Sequence, residues 1–329
     1  MPKSRKLEAL IAALEQIRSE PASEAGLSTL RQALNSRYAV AIAHAAKIIG
    51  RAELPDLTPE LIAAYDRCMT KPADTDPGCR AKQAIADALY RLSHSDEALF
   101  LSGIRHVQLE PVWGGQVDTA PALRGTCALG LVRMNYAQAM MELADLLADP
   151  EPEARIGAAR AIAYSDHDQG VPLLRLRIKI GDTSAVLMEC LMALLKLAPA
   201  SSLPLLKDLL YARPKDGSTN ATERAEVAAL ALGESRLVDA FPLLRDWWAQ
   251  VKDAELRRSG LVAIATLRQS AAIDWLMALI ADGMTEDAKS AIKALSLYQT
   301  DALLWGRVHE MVQERQSEVL LNIFRELSR

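Results

Sequence analysis

The chain has 329 residues, of which 50% are hydrophobic and only 5% aromatic, and its formal net charge is −4 at pH 7. An apolar fraction made mainly of Ala, Leu, Ile and Val suits closely packed helices better than β-sandwiches, which favour aromatic and β-branched residues. The chain has slightly more acidic than basic residues, whereas a dedicated nucleic-acid binder usually has an excess of Lys and Arg. No stretch approaches the roughly 20 uninterrupted apolar residues that insert into a membrane. We therefore expect a soluble, cytoplasmic, helical protein, and the charge balance disfavours nucleic acid as its partner without excluding a local basic stripe.

The first 22 residues predict an N-terminal capping helix. The segment MPKSRKLEALIAALEQIRSE has a short apolar run that Glu8, Glu15 and Gln16 interrupt. This pattern is typical of an amphipathic helix and lacks the continuous apolar region of a signal peptide. Residues 317–329 predict the matching C-terminal cap.

One short pattern recurs through residues 23–316. The segments EPEARIGAARAIAYS (151–165) and DAELRRSGLVAIATL (253–267) both begin with acidic residues and continue with an early Arg. Both then place apolar or small residues three, four, six and seven positions later, and those at three and six are small. Copies of this pattern begin at positions 39, 82, 124, 155, 187, 225, 257 and 288. Positions separated by three, four and seven residues share one face of a helix. The pattern therefore predicts helices that approach each other closely through small side chains.

A second kind of helix is predicted between these copies. VPLLRLRIKI (171–180) and FPLLRDWW (241–248) carry bulky residues on one stripe and a Pro near the first turn, where its missing N–H costs little. Neither kind of helix can bury its apolar face alone, so neighbours must stack. We predict one all-α domain over residues 1–329, an α-solenoid of about eight stacked antiparallel helix pairs.

The motif D/E-x-E-x-R-x-x-A-A-x-A-I, followed by a short turn and x-P-L-L, resembles the HEAT-like repeat, in the short form also found in phycobilin-lyase-type proteins. The resemblance spans roughly residues 23–327 and is strongest at 136–298. It implies an armadillo-like superhelix whose small-residue helices form the concave face. For function it implies a protein-interaction scaffold, or alternatively a small-ligand, chromophore-handling or nucleic-acid-acting protein.

Three insertions stretch the repeats, at residues 71–78, 108–122 and 213–220. They are rich in Pro, Gly, Asp and Ser, which indicate loops. Each follows a bulky helix and precedes a small-residue helix of the same repeat, so all three are expected on one rim. Insertions confined to one side often mark the binding side.

The candidate partner-binding residues lie in or beside the middle insertion and at the starts of small-residue helices. Trp113 could present its ring to a partner or fold back over the edge of the solenoid. Asp118 could contact a ligand or cap the helix that begins near Ala122. The basic residues could line a binding face, or form a ladder to acids or carbonyls of the preceding repeat. The full set is Trp113, Gly114, Gly115, Asp118, His106, Arg80, Arg124 and Arg155.

Motifs for catalysis are absent from the sequence. It contains no HExxH, no G-x-S-x-G and no cysteine with a motif-placed histidine. The four cysteines predict reduced thiols, although a Cys68–Cys79 bridge across a loop is an alternative. We expect no metal and no cofactor, and predict a non-enzymatic scaffold or adaptor that binds a protein or peptide through its concave face and three rim loops.

Overall fold

The computed structural model describes residues 2–212 and 220–328 of the chain. Within these residues the backbone forms 20 α-helices and one two-stranded hairpin, as expected for an all-α repeat fold. None of the described helices is long and apolar enough to cross a membrane. The Cα packing divides into two compact units, Met1–Leu173 and Leu174–Arg329. That residues 1–329 act as a single domain stays a prediction.

The first unit begins with the helix that the sequence predicts as a cap, and bulky and small-residue helices alternate after it. In chain order its elements are α1 (Pro2–Gln16), α2 (Glu24–Leu34), α3 (Ala39–Ala52), α4 (Thr58–Met69), α5 (Pro72–Thr75), α6 (Arg80–Arg91), α7 (Glu97–Ile104), β1 (Leu109–Val112), β2 (Gly115–Asp118), α8 (Pro121–Arg133), α9 (Ala139–Leu147) and α10 (Pro152–Ser165). The small-residue helices α3, α6, α8 and α10 pack one against the next, and α2, α4, α7 and α9 pack on their neighbours. We call the small-residue helices the inner helices.

Helix α11 (Gly170–Ile180) follows, and the second unit repeats the same alternation. Its elements are α12 (Ser184–Leu197), α13 (Pro199–Leu210), α14 (Asn220–Ser235), α15 (Ala240–Trp248), α16 (Ala254–Thr266), α17 (Ser270–Asp282), α18 (Thr285–Leu295), α19 (Ala302–Glu314) and α20 (Glu318–Leu327). The inner helices α12, α14, α16 and α18 pack in succession, and α20 covers α18. The insertion predicted at 213–220 lies outside the described residues, apart from Asn220 at the start of α14.

Glycines set the spacing of the inner helices. A Cβ atom placed on Gly157 of α10 would lie 2.5 Å from the Cα of Gly125 on α8. In the second unit, a Cβ on Gly233 of α14 would lie 2.8 Å from the Cα of Ala263 on α16. Real Cβ atoms do not approach a backbone atom this closely, so both helix pairs depend on the absence of a side chain. The prediction that small residues let these helices come close is confirmed.

Cations in the first turns of inner helices hold the connections that precede them. Arg257 of α16 donates from Nη1 to the carbonyl oxygens of Trp248, at 3.2 Å, and Val251, at 2.9 Å. Its Nη2 also lies 3.0 Å from the carboxylate of Asp287 on α18. Arg257 therefore makes contacts of the kind expected for a ladder, but its carbonyl partners lie in its own repeat and its acid in the following one, and not in the preceding repeat.

Candidate partner-binding site

The middle insertion forms a β-hairpin, where the sequence predicted an irregular loop. β1 and β2 pair antiparallel, with Leu109 opposite Asp118 and Val112 opposite Gly115. This register leaves Trp113 and Gly114 as the two-residue turn. Gly114 has φ +92°, a conformation that glycine reaches without a steric penalty. The turn thus places Trp113 at the tip of the hairpin.

Trp113 is fully exposed, with a relative accessibility of 104%. It does not fold back over the helices, which was one of the two alternatives. Leu109, Val112 and Val117 of the same hairpin are also exposed, as is Val107, two residues before the first strand. The hairpin and the chain just before it therefore present a tryptophan and four aliphatic side chains to solvent. We call these five residues the hairpin patch.

The base of the hairpin is fixed to the neighbouring insertion through Glu110. Its Oε1 accepts hydrogen bonds from the backbone N–H of Gly78 at 2.6 Å, Nε2 of Gln108 at 2.6 Å and Oγ1 of Thr119 at 2.9 Å. Partial burial opposes ionisation of Glu110, but these hydrogen bonds outweigh it and lower the pKa of the carboxyl group. The 71–78 and 108–122 insertions thus meet, as their placement on one rim predicts.

Asp118 fixes the other strand to helix α8. Its Oδ1 accepts from the backbone N–H groups of Gln108, at 3.0 Å, and Ala120, at 2.9 Å, and its Oδ2 accepts from Nη1 of Arg124 at 2.6 Å. Burial opposes ionisation here too, but the backbone hydrogen bonds and the guanidinium lower the pKa of Asp118. Asp118 therefore holds the hairpin in place and does not face solvent as a ligand contact.

Arg124 lies at the centre of this buried network. Only 2% of its side chain is exposed, and it pairs with Asp118 and with Asp149, whose Oδ2 lies 2.9 Å from Nε. Its Nη1 also donates to the carbonyl oxygen of His106 at 2.8 Å. The His106 ring lies 3.2 Å from Oε1 of Gln108, and burial lowers the pKa of that histidine.

Arg155 holds the next connection and does not reach the hairpin. Its Nη1 donates to the carbonyl oxygens of Asp149, at 2.7 Å, and Pro150, at 2.8 Å. Asp149 thus accepts hydrogen bonds from Arg124 at its carboxylate and from Arg155 at its backbone carbonyl oxygen. Both arginines are buried, so neither offers its charge to a partner. Among the sequence candidates, Trp113, Gly114, Gly115 and Arg80 are the ones that face solvent.

A groove runs beside the base of the hairpin, within the first unit. It consists of two adjoining pockets of about 480 Å³ and about 610 Å³, which share Val40 and Arg80 in their walls. Both are open to solvent along one side. Other lining residues are Leu7, Ile11, Arg37, Ala43, Lys47, Asp74, Ala84, Asp87 and Glu110. We call this feature the groove.

The sequence did not predict most of the groove residues. Arg80 was a candidate, but Arg37, Val40 and Lys47 carried no signal in the sequence. They come together with Arg80 only because α3 packs against α6 and α1 packs against α3.

The arrangement of the histidines, cysteines and acids in the described residues bears on metal binding and on disulfides. Within 2–212 and 220–328, no group of three His, Cys, Asp or Glu side chains could hold a metal ion. All four cysteines are buried free thiols, so the proposed Cys68–Cys79 bridge is wrong. Burial raises the pKa of Cys68 to about 11 and that of Cys79 to about 12, which leaves these thiols weakly nucleophilic.

Comparison with known proteins supports the repeat assignment. A family model of HEAT repeats matches residues 140–225, which run from α9 into α14. A search of curated proteins found no match to the chain. Helix pairs of the same kind continue on both sides of the matched residues. The chain is therefore similar to HEAT-repeat proteins, which are all-α solenoids.

Proposed function

We propose that this protein is a non-enzymatic interaction scaffold and that its first unit binds a partner protein through the hairpin patch. The observation that carries the proposal is the full exposure of Trp113 at the tip of a hairpin whose base is fixed. Tryptophan is among the residues most enriched in the energetic centres of protein interfaces.

The construction of the hairpin supports a binding role. Glu110 and Asp118 fix one strand each through partly buried hydrogen bonds, so the tip is held in position before a partner arrives. Pre-organised residues lose little conformational entropy on binding, and more of the contact energy then contributes to affinity. A hairpin kept only as a connection has no need for an exposed tryptophan with four exposed aliphatic neighbours.

The shape of the groove supports a protein or peptide over a small ligand. Small-molecule sites usually enclose most of their ligand, whereas both pockets of the groove are open along one side. The buried free thiols support a reducing compartment, in agreement with a cytoplasmic location.

Site-specific photo-crosslinking tests the proposal. A photoreactive phenylalanine analogue replaces Trp113 in one variant and Leu303 in the control, since Leu303 on α19 is also exposed, at 85%. After irradiation in native lysate, the position 113 variant should yield a discrete adduct that the position 303 variant does not. Equal labelling at the two positions, or no adduct at position 113, would refute the proposal.

A further inference from the structure

The groove combines an apolar floor with charged walls. Val40 and Ala43 of α3 and Ala84 of α6 supply the floor, and Leu7 and Ile11 of α1 close one side. Val40 is 51% exposed, which is unusual for the face of an inner helix in this unit. An apolar strip of this kind favours a ligand that has apolar side chains of its own.

The cations of the groove have few internal partners. Among the residues that the structure describes, neither Lys47 nor Arg80 forms an ion pair, and both side chains are exposed. Arg37 lies 5.2 Å from the centre of the Tyr38 ring and donates to the Tyr38 hydroxyl oxygen at 3.3 Å. It therefore keeps donors available for a ligand.

Two of the three acids in the groove are already engaged. Asp87 accepts from Nε of Arg91 at 2.7 Å, and Glu110 accepts from three donors at the base of the hairpin. Asp74 is the remaining carboxylate of the lining. The donors to Glu110 are uncharged, so only Asp87 has its charge compensated. Three cations, Lys47, Arg80 and Arg37, then face two carboxylates, Asp74 and Glu110. The balance of charge in the groove is therefore slightly positive, although the whole chain carries −4.

From this complementarity we infer that the groove binds an acidic, amphipathic segment of the partner protein. Apolar side chains of the segment pack on Val40 and Ala84, while its carboxylates meet Lys47, Arg80 and Arg37. The inference rests on the proposed function, because it assigns to the partner of the first unit a second contact beside the hairpin patch. Glu110 lines the groove and also lies on strand β1 of the hairpin, and the three residues from Glu110 to Trp113 span about 10 Å of extended chain.

A nucleic acid is disfavoured as the occupant. Backbone binders neutralise many phosphates along a continuous basic surface, whereas this groove offers three cations beside an apolar floor. The acidic net charge of the chain also repels a polyanion at long range, while a short acidic peptide interacts mainly with the local charges.

Selection from a phage-displayed library of random peptides tests the inference on the full-length protein. Peptides enriched on the wild type should contain several Asp or Glu together with apolar residues. The charge reversals Lys47→Glu and Arg80→Glu should each weaken binding of the enriched peptides by about fivefold or more, and salt should weaken it further. The matched control is Arg325→Glu, which makes the same charge change at an exposed position of α20 and should leave affinity unchanged.

The outcomes separate this inference from the proposed function. Enriched peptides without acidic bias, peptides insensitive to both reversals, or the absence of any enrichment over the Lys47→Glu/Arg80→Glu double variant would overturn the acidic-segment inference. Tighter binding of a single-stranded oligothymidine than of the enriched peptides would overturn it in favour of nucleic acid. Crosslinking at position 113 is independent of these results, so the hairpin proposal can stand or fall separately.

Discussion

The replacement Gly233→Ala tests how the inner helices are spaced. The added methyl group would point from α14 at the backbone of α16, with its carbon 2.8 Å from the Cα and 3.0 Å from the carbonyl carbon of Ala263. Because these are backbone atoms, a rotamer change cannot relieve the overlap, and the two helices must move apart.

The expected cost follows from two opposing effects. Overpacking of a close-packed core typically costs about 1–3 kcal/mol, and the overlap with backbone places this site at the upper end. Replacing glycine by alanine inside a helix returns roughly 0.5–1 kcal/mol through higher helix propensity. The net result should be a loss of about 2 kcal/mol in the free energy of unfolding.

The same substitution at Gly306 is the control. Gly306 lies inside α19 of the same unit, and a Cβ there would meet nothing within 4 Å. Gly306→Ala should therefore raise stability by roughly 0.5–1 kcal/mol. Urea unfolding followed by circular dichroism measures both variants against the wild type. Equal effects of the two substitutions, or a stabilising effect of Gly233→Ala, would refute the account of inner-helix packing.

Three further predictions concern the network and the thiols. Arg124→Met should lower the free energy of unfolding by about 3–5 kcal/mol, because it leaves the largely buried carboxylates of Asp118 and Asp149 without their cation. The control Arg18→Met removes an exposed ion pair and should change the free energy of unfolding by less than about 1 kcal/mol. Urea unfolding measures both variants, and equal effects would contradict the role of Arg124. Because the folded-state pKa of Asp118 is lowered, its stabilisation should be complete above the unfolded pKa of about 3.9 and lost as pH falls through the folded pKa. In Asp118→Asn this stabilisation is absent at every pH, so the melting temperature of the variant should fall less steeply in acid than that of the wild type. The same fall of the melting temperature with pH in both proteins would contradict the prediction. With the pKa of Cys68 raised to about 11 and that of Cys79 to about 12, a thiol-specific disulfide reagent at mildly alkaline pH should react slowly with the four cysteines in the native protein and rapidly in urea; rapid reaction of the folded chain would contradict their burial.

The helical architecture could be predicted because it depends on local pattern. Arg155, Ala158, Ala159 and Ile162 repeat the spacing of one helical face, and this spacing survives in every copy. A face of small residues has to be buried against another helix, so the stacking of sequence neighbours follows from composition and period together.

The hairpin could not be predicted because its strands are stabilised from outside. Pro111 lies inside the first strand and Gly115 at the start of the second, and both residue types are typical of loops. What fixes the strands is the pairing of Glu110 with Gly78, which is 32 residues away, and of Asp118 with buried Arg124. Such contacts are set by the stacking of α6 on α8 and leave no mark on the local sequence.

The groove was missed for a related reason. Arg37 lies two residues before α3, Lys47 lies in α3, and Arg80 is the first residue of α6. In the sequence none of the three belongs to a recognisable motif. Their proximity, and the engagement of the neighbouring Asp87 by Arg91, become visible only once the helices are placed side by side.

The central claim is that Trp113 dominates recognition of a partner protein. Calorimetric titration with the partner recovered by crosslinking tests this claim most directly, using the wild type, Trp113→Ser and the control Leu303→Ser at another highly exposed position. We predict that Trp113→Ser weakens binding by about 30-fold or more, which corresponds to the roughly 2 kcal/mol of an interface hot spot, and that Leu303→Ser has no effect. Equal affinities for all three proteins would contradict the account.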